Sequence, residues 1–143
     1  MAFTSKSLQD TEQVAKEFLA LLKPKTAGAT LVALYGDLGS GKTTFTQTIA
    51  KILGVTETVT SPTFVIEKIY KLSHQHFSHM IHIDAYRLES GKEMLSLGWQ
   101  EIISNPKNII FLEWPEKIAD ILPSDIKKLS FTFIDETTRE INF

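Results

Sequence analysis

A short apolar run, Thr30-Leu31-Val32-Ala33-Leu34, passes almost at once into Gly36-Asp37-Leu38-Gly39-Ser40-Gly41-Lys42-Thr43, which opens a helical stretch lasting to Leu53. Few folds accommodate that succession. A short continuous apolar run suits a strand buried on both faces, as in a parallel sheet. Gly36, Gly39 and Gly41 permit backbone conformations and close approaches that a Cβ would block. The bend between strand and helix then turns its N–H groups inward as an anion nest, and the helix adds the positive end of its dipole. The pattern G-x-x-x-x-G-K-[ST] is present in full from Gly36 to Thr43. It predicts a triphosphate cradle in which Lys42 reaches the β and γ phosphates and the Thr43 hydroxyl ligates Mg²⁺. The expected nucleotide-holding residues are Asp37, Leu38, Gly39, Ser40, Gly41, Lys42, Thr43 and Thr44, with ATP or ADP and Mg²⁺ as ligands.

The remaining pattern extends this unit. Asp10 reads as the N-cap of a first amphipathic helix, with Gln13 three residues on and Val14, Phe18, Leu21 and Leu22 at helical spacing. Gly54 suits a left-handed cap at the end of the second helix. Residues 64–72 and 80–85 read as strands of an antiparallel hairpin turning near residues 74–78. Residues 91–103 are helical but interrupted by Gly98. Asn108 to Leu112 is a second buried run ending at Glu113-Trp114, and Pro115 starts a short helix. Residues 126–134 and 139–143 suggest a terminal hairpin. The expected fold is α/β: a mostly parallel sheet of the P-loop nucleotide-hydrolase type, flanked by helices, with antiparallel edge strands. The 143 residues, 43% of them hydrophobic, suit one domain with its own core.

Two acids end apolar strands: Asp84 after Met80-Ile81-His82-Ile83, and Glu113 after Ile109-Ile110-Phe111-Leu112. Carboxyl ends of sheet strands are where α/β proteins bind ligands. Glu113 is assigned to the metal shell, and Asp84 to the metal or to positioning water. Ser61-Pro62-Thr63 lies where switch proteins close on the γ-phosphate, which makes Thr63 a catalytic candidate beside Asp84 and Lys42. His74, His76, His79 and His82 fall within nine residues, but no carboxylate or Cys joins them at ligand spacing, so they are expected on the hairpin surface.

Composition excludes other classes. With no cysteine, disulfides and thiolate metal sites are ruled out. No stretch approaches the roughly 18 apolar residues of a membrane span, so a cytoplasmic protein is expected. A net charge of −2 and only short basic spots disfavour direct capture of nucleic acid.

Four segments together, Gly36-Asp-Leu-Gly-Ser-Gly-Lys-Thr-Thr-Phe45, Ser61-Pro-Thr-Phe64, His82-Ile-Asp-Ala-Tyr-Arg-Leu88 and Leu112-Glu-Trp-Pro-Glu116, resemble in order and spacing the signatures of the TsaE family. That family comprises bacterial ATPases required to make threonylcarbamoyladenosine in tRNA. The resemblance spans about residues 8–143. It implies a cytoplasmic Mg²⁺-dependent ATPase acting in a complex with TsaB and TsaD, in which TsaD transfers the threonylcarbamoyl group and tRNA is met through the complex. It further implies Thr43 and Glu113 as Mg²⁺ ligands, Asp84 as a catalytic acid, Thr11 as a residue beside the nucleotide, and Trp114 in packing or partner contact.

The competing reading is a small P-loop phosphotransferase, a nucleoside or metabolite kinase. Such enzymes gather arginines around the migrating phosphoryl group, and this chain has only Arg87 and Arg139. A nucleotide sensor without turnover would have little use for Asp84 and Glu113. A GTPase is disfavoured because Asn105-Pro106-Lys107-Asn108 does not fit the Asn-Lys-x-Asp guanine signature. The arginine scarcity also predicts weak intrinsic hydrolysis, since an arginine supplied in trans is worth about 10³–10⁵ in rate.

Overall fold

The apolar run at residue 30 becomes β2 (Thr30–Tyr35), and it is hydrogen-bonded on both sides by parallel neighbours. The computed structural model describes residues 1–57, 59 and 66–143. The elements around β2 are β1 (Ala2–Ser5), α1 (Leu8–Leu21), α2 (Lys42–Ile52), β3 (Glu67–Lys71), β4 (His79–Asp84), α3 (Gly91–Leu95), α4 (Trp99–Ser104), β5 (Asn108–Glu113), a 3₁₀ helix (Pro115–Ile121), β6 (Lys127–Asp135) and β7 (Thr138–Asn142). The strands form one sheet in the order β1-β7-β6-β2-β5-β4-β3. β6, β2, β5 and β4 run parallel; β3 at one edge and β7 and β1 at the other are antiparallel. This is the expected mixed α/β sheet with a parallel centre.

Strand alternation divides the core into two layers. Val32, Leu34, Met80, Ile109 and Phe111 face α1 and α2, where they meet Phe18, Phe45 and Ile49. Leu31, Ile81, Ile83, Ile110 and Leu112 face the other way, toward Met94, Trp99, Ile102 and Ile118. Phe45 seats α2 on the sheet: it has no exposed surface, and its ring meets Phe131 and Phe18 edge-on at centroid distances of 5.2 and 6.2 Å. Truncating such a ring costs about 3–5 kcal/mol, so the helix that begins at Lys42 is firmly held.

Several expectations required adjustment. The N-cap of α1 is Ser7, not Asp10: the Ser7 hydroxyl accepts from Asp10 N, and Asp10 in turn accepts from Lys6 N. β1 carried no clear sequence signal. Its four residues pair with β7, which gives it a sheet edge to join. The first hairpin strand is described from Glu67 to Lys71, and residues 64 and 65 of the expected span lie outside the described residues. Gly98 does interrupt the 91–103 helix, taking φ +85° between α3 and α4. Among the described residues no helix is long and apolar enough to cross a membrane.

Candidate functional site

The strand-end acids converge because of parallel register. Asp84 and Glu113 are Cα partners at the ends of β4 and β5, and Glu113 is also opposite Leu34 in β2. Strand periodicity then places His82, Asp84 and Glu113 on the sheet face that carries α2. The Gly-rich bend leaves β2 one strand away and delivers Lys42 and Thr43 to the same place.

The bend has the geometry its glycines require. Gly36 adopts φ +147°, and a Cβ there would lie 2.7 Å from both Phe131 O and Ser40 Oγ. Gly41 is the N-cap of α2 at φ +104° and provides no side-chain cap, so the first amides of α2 have no side-chain acceptor at the cap position. Ser40 Oγ is buried without a partner among the described residues. An open cradle, unsatisfied polar atoms and a helix N-terminus together fit phosphate oxygens.

Lys42 is 4% exposed. Its Nζ donates to Gly36 O and lies 4.0 Å from the centre of the Trp114 ring. Burial pushes the Lys42 ammonium below the ordinary lysine range, and Glu113, Glu116, Asp84 and Asp37 oppose that shift. Trp114 is the one non-glycine among the described residues with positive φ, at φ 58° and ψ 51°. A left-handed conformation at such a residue costs about 1–2 kcal/mol. It turns the chain sharply from β5 into the 3₁₀ helix, and Trp114 caps that helix above Lys42.

Thr43 Oγ1 lies 3.4 Å from both carboxylate oxygens of Glu113. That is long for a hydroxyl–carboxylate hydrogen bond. Uncharged and anionic oxygens at this separation suit a small hard cation between them, so the donor set fits Mg²⁺. Glu113 is 4% exposed and its Oε2 is bonded to His82 Nε2 at 2.6 Å. Asp84 is partly exposed; Oδ1 accepts from Tyr86 N at 3.0 Å. Burial raises the Asp84 carboxyl above its usual range and the Glu113 charge adds to this, while the Tyr86 N–H, His82 and Lys42 work against it.

A cavity of about 400 Å³ joins these groups, lined among others by Leu38, Gly39, Lys42, Thr43, Asp84 and Glu113. A second, of about 290 Å³, lies against Ser40, Gly41 and Thr44 on the other side. Its remaining wall comes from the start of α1, including Thr11, and from the β6–β7 turn, including Glu136 and Thr137. The Thr11 hydroxyl is held there by a hydrogen bond shared with Ser5 Oγ at 2.7 Å and lies 3.2 Å from the acceptor Ser7 O. Arg139 lines both cavities, with its guanidinium carbon 4.6 Å from the Phe133 ring centre and its Nε buried without a partner among the described residues.

Thus Thr11, Leu38, Gly39, Ser40, Gly41, Lys42, Thr43, Thr44, Asp84 and Glu113 come together. Asp37 does not: its side chain is exposed and lines neither cavity, and its carbonyl serves the loop by accepting from Ser40 N at 3.1 Å. Thr63 lies outside the described residues. His82 is not a surface hairpin residue; it is fully buried, whereas His74 and His76 are exposed. The strand alternation Met80-Ile81-His82-Ile83-Asp84 already placed His82 on the face of Asp84. Arg139 and Tyr86 also border the site, beyond the residues that the sequence pattern predicts.

Comparison with known proteins gives a consistent answer. Residues 5–141 match the family model described as Threonylcarbamoyl adenosine biosynthesis protein TsaE. A tRNA threonylcarbamoyladenosine biosynthesis protein TsaE from Rickettsia bellii (strain RML369-C) is 37% identical over 137 residues, covering 95% of this chain and 89% of the relative. The protein of the same name from Bacillus subtilis (strain 168) is 35% identical over 135 residues, with 94% and 79% covered. That from Treponema pallidum (strain Nichols) is 33% identical over 141 residues, with 99% and 98% covered. The crystal structure of YdiB from Bacillus subtilis superposes with a TM-score of 0.75 at 27% identity, covering 99% of this chain and 82% of that one. A family match over nearly the whole chain, together with relatives that share more than a third of its residues, leads to one conclusion: the chain belongs to the TsaE family of tRNA threonylcarbamoyladenosine biosynthesis.

Proposed function

We propose that this chain is a Mg²⁺-dependent ATPase of the cytoplasm that supports threonylcarbamoyladenosine formation in tRNA, hydrolysing ATP slowly alone and faster with TsaB and TsaD, and meeting tRNA through that complex. The observation that carries this reading is the convergence of Lys42, Thr43, Asp84 and Glu113 at the open end of the Gly-rich bend. ATP would lie with its phosphates on the amides of residues 39–44 and its nucleoside in the cavity beside Thr11 and Arg139. Lys42 would exchange its contact with Gly36 O for the β and γ phosphate oxygens, a charge-assisted bond replacing a neutral acceptor. Thr43 and Glu113 would hold Mg²⁺. That ion, when bound, neutralises charge developing on the phosphate oxygens. Asp84, whose basicity is raised by burial, would orient the attacking water and accept its proton. Thr63 is proposed to close on the γ-phosphate.

The test is calorimetry with Mg·ADP followed by an ATPase assay of the chain alone and with TsaB and TsaD. Lys42→Ala is expected to weaken nucleotide binding by about 10–100-fold. Rapid phosphoryl transfer to a small acceptor by the isolated chain would instead identify a kinase. Absence of nucleotide binding by the folded protein would overturn the reading.

A further inference from the structure

His82 occupies a place where an apolar side chain would pack more simply. It lies in the middle of β4, opposite Phe111 in register, on the same face as Met80 and with no exposed surface. Its Nδ1 has no partner among the described residues, whereas Nε2 meets Glu113 Oε2 at 2.6 Å. A carboxylate only accepts, so Nε2 carries the proton and donates it. Thr43 Oγ1 stands at 3.4 Å from each oxygen of the same carboxylate. One carboxylate therefore meets two neighbours, a buried ring from β4 and the hydroxyl at the start of α2.

We infer that His82 is a positioning residue, whose Nε2–H ties down Oε2 of Glu113 and so holds the carboxylate in register with the Thr43 hydroxyl as a preformed oxygen pair for the divalent cation. A glutamate has three side-chain torsions, and an untethered one would have to be ordered when the cation arrives. The buried ring orders it in advance. Partners of this kind behind a ligand set its orientation, and losing one typically weakens metal binding by about 10–100-fold. The inference rests on the reading of Glu113 as a cation ligand and adds what fixes it there.

The experiment is a Mn²⁺ titration of the intact protein in excess over ADP, followed by loss of the free-ion paramagnetic resonance signal. ADP affinity in EDTA and thermal melting are measured in parallel. His82→Leu is expected to weaken Mn²⁺ binding by about 10–100-fold while leaving ADP affinity in EDTA unchanged. His82→Gln, whose amide donates from near the position of Nε2, recovers most of the loss. In a Glu113→Gln background, His82→Leu adds no further loss, because the two groups act as one unit. Wild-type Mn²⁺ affinity in folded His82→Leu overturns the inference. So do equal losses in the Leu and Gln variants that merely track their melting temperatures. If His82→Leu does not fold, His82→Gln against His82→Asn decides: Asn donates only near Nδ1, so equal Mn²⁺ affinity in the two overturns the inference. The two levels separate cleanly. Unchanged Mn²⁺ affinity in Glu113→Gln removes Glu113 as a ligand and the inference with it, whereas a loss in Glu113→Gln with none in His82→Leu removes only the role of His82.

Discussion

At Asp84 the demands of folding and of the site conflict. The carboxyl is partly withdrawn from water beside Glu113, and burial raises it above the ordinary aspartate range. The folded state therefore binds its proton more tightly than the unfolded chain does. This contribution to stability is fully present below the unfolded value near 3.8 and is lost as pH rises through the folded value. At neutral pH the charged form is thus a modest cost, screened by its exposure. Asp84→Asn is expected to melt about 1–2 °C higher than the parent at pH 7, with the gain disappearing near pH 3.5. The same variant should bind Mg·ADP normally and lose turnover by about 10²–10⁴-fold. Unchanged turnover would remove Asp84 from the mechanism. Gly36 makes the opposite kind of demand: a methyl at φ +147° would collide with Phe131 O and Ser40 Oγ at 2.7 Å. Gly36→Ala should lower stability by about 1–3 kcal/mol in urea titrations and impair nucleotide binding as the loop shifts.

The elements show which local signals survive in context. Ser7-Leu8-Gln9-Asp10 is a capping box as good as the one read from Asp10, and the two differ by three residues along the chain. The choice fell to Ser7 because β1 ends at Ser5, paired with Arg139 of β7, and Ser5 Oγ bonds Thr11. That pins the chain so that helix starts at Leu8. Ser7→Ala should cost about 1 kcal/mol in a denaturant titration, while Gln13→Ala, which has no cap to serve, should cost little. On the far side of the sheet, Gly91 starts α3 against the 3₁₀ helix. A Cβ there would lie 2.4 Å from Ile121 Cγ2. Gly91→Ala should therefore destabilise by about 1–3 kcal/mol without altering nucleotide affinity, a control that separates folding from function.

At the level of the whole molecule, the candidate site is a product of strand order. Placing β5 between β2 and β4 sets Glu113 between the Gly-rich bend and Asp84. Placing β6 and β7 on the other side of β2 brings Arg139 over Gly41, with Arg139 Cγ 3.6 Å from where a Cβ of Gly41 would be. Arg139 packs on the loop, and its guanidinium is engaged by the Phe133 ring and the Thr138 carbonyl of the β6–β7 wall while the side chain also borders the cavity of Asp84 and Glu113. Among the described residues that line the cavity of those two acids, Arg139 is the one arginine, and with that arginine already engaged hydrolysis by the isolated chain should be slow. Reconstitution with TsaB and TsaD should raise it well over tenfold, given that a cation supplied in trans is worth about 10³–10⁵. A steady-state assay with and without the partners reads this directly, and equal rates would exclude activation through the complex.

The Gly-rich bend, the strand that feeds it and the two strand-end acids were legible from residue order alone, because glycine spacing, apolar runs and alternation are local and physical. The breaks at Gly54 and Gly98 were equally local, each set by a backbone conformation that favours glycine. Tertiary structure decided what depends on residues far apart in sequence. β1 exists as a strand because β7 offers it an edge; Arg139 reaches the loop across nearly a hundred residues; and His82 left the apparent surface cluster for the core because Glu113 stands beside it. Local pattern determines what each segment can form, but a buried polar contact stabilises only the arrangement in which both partners meet.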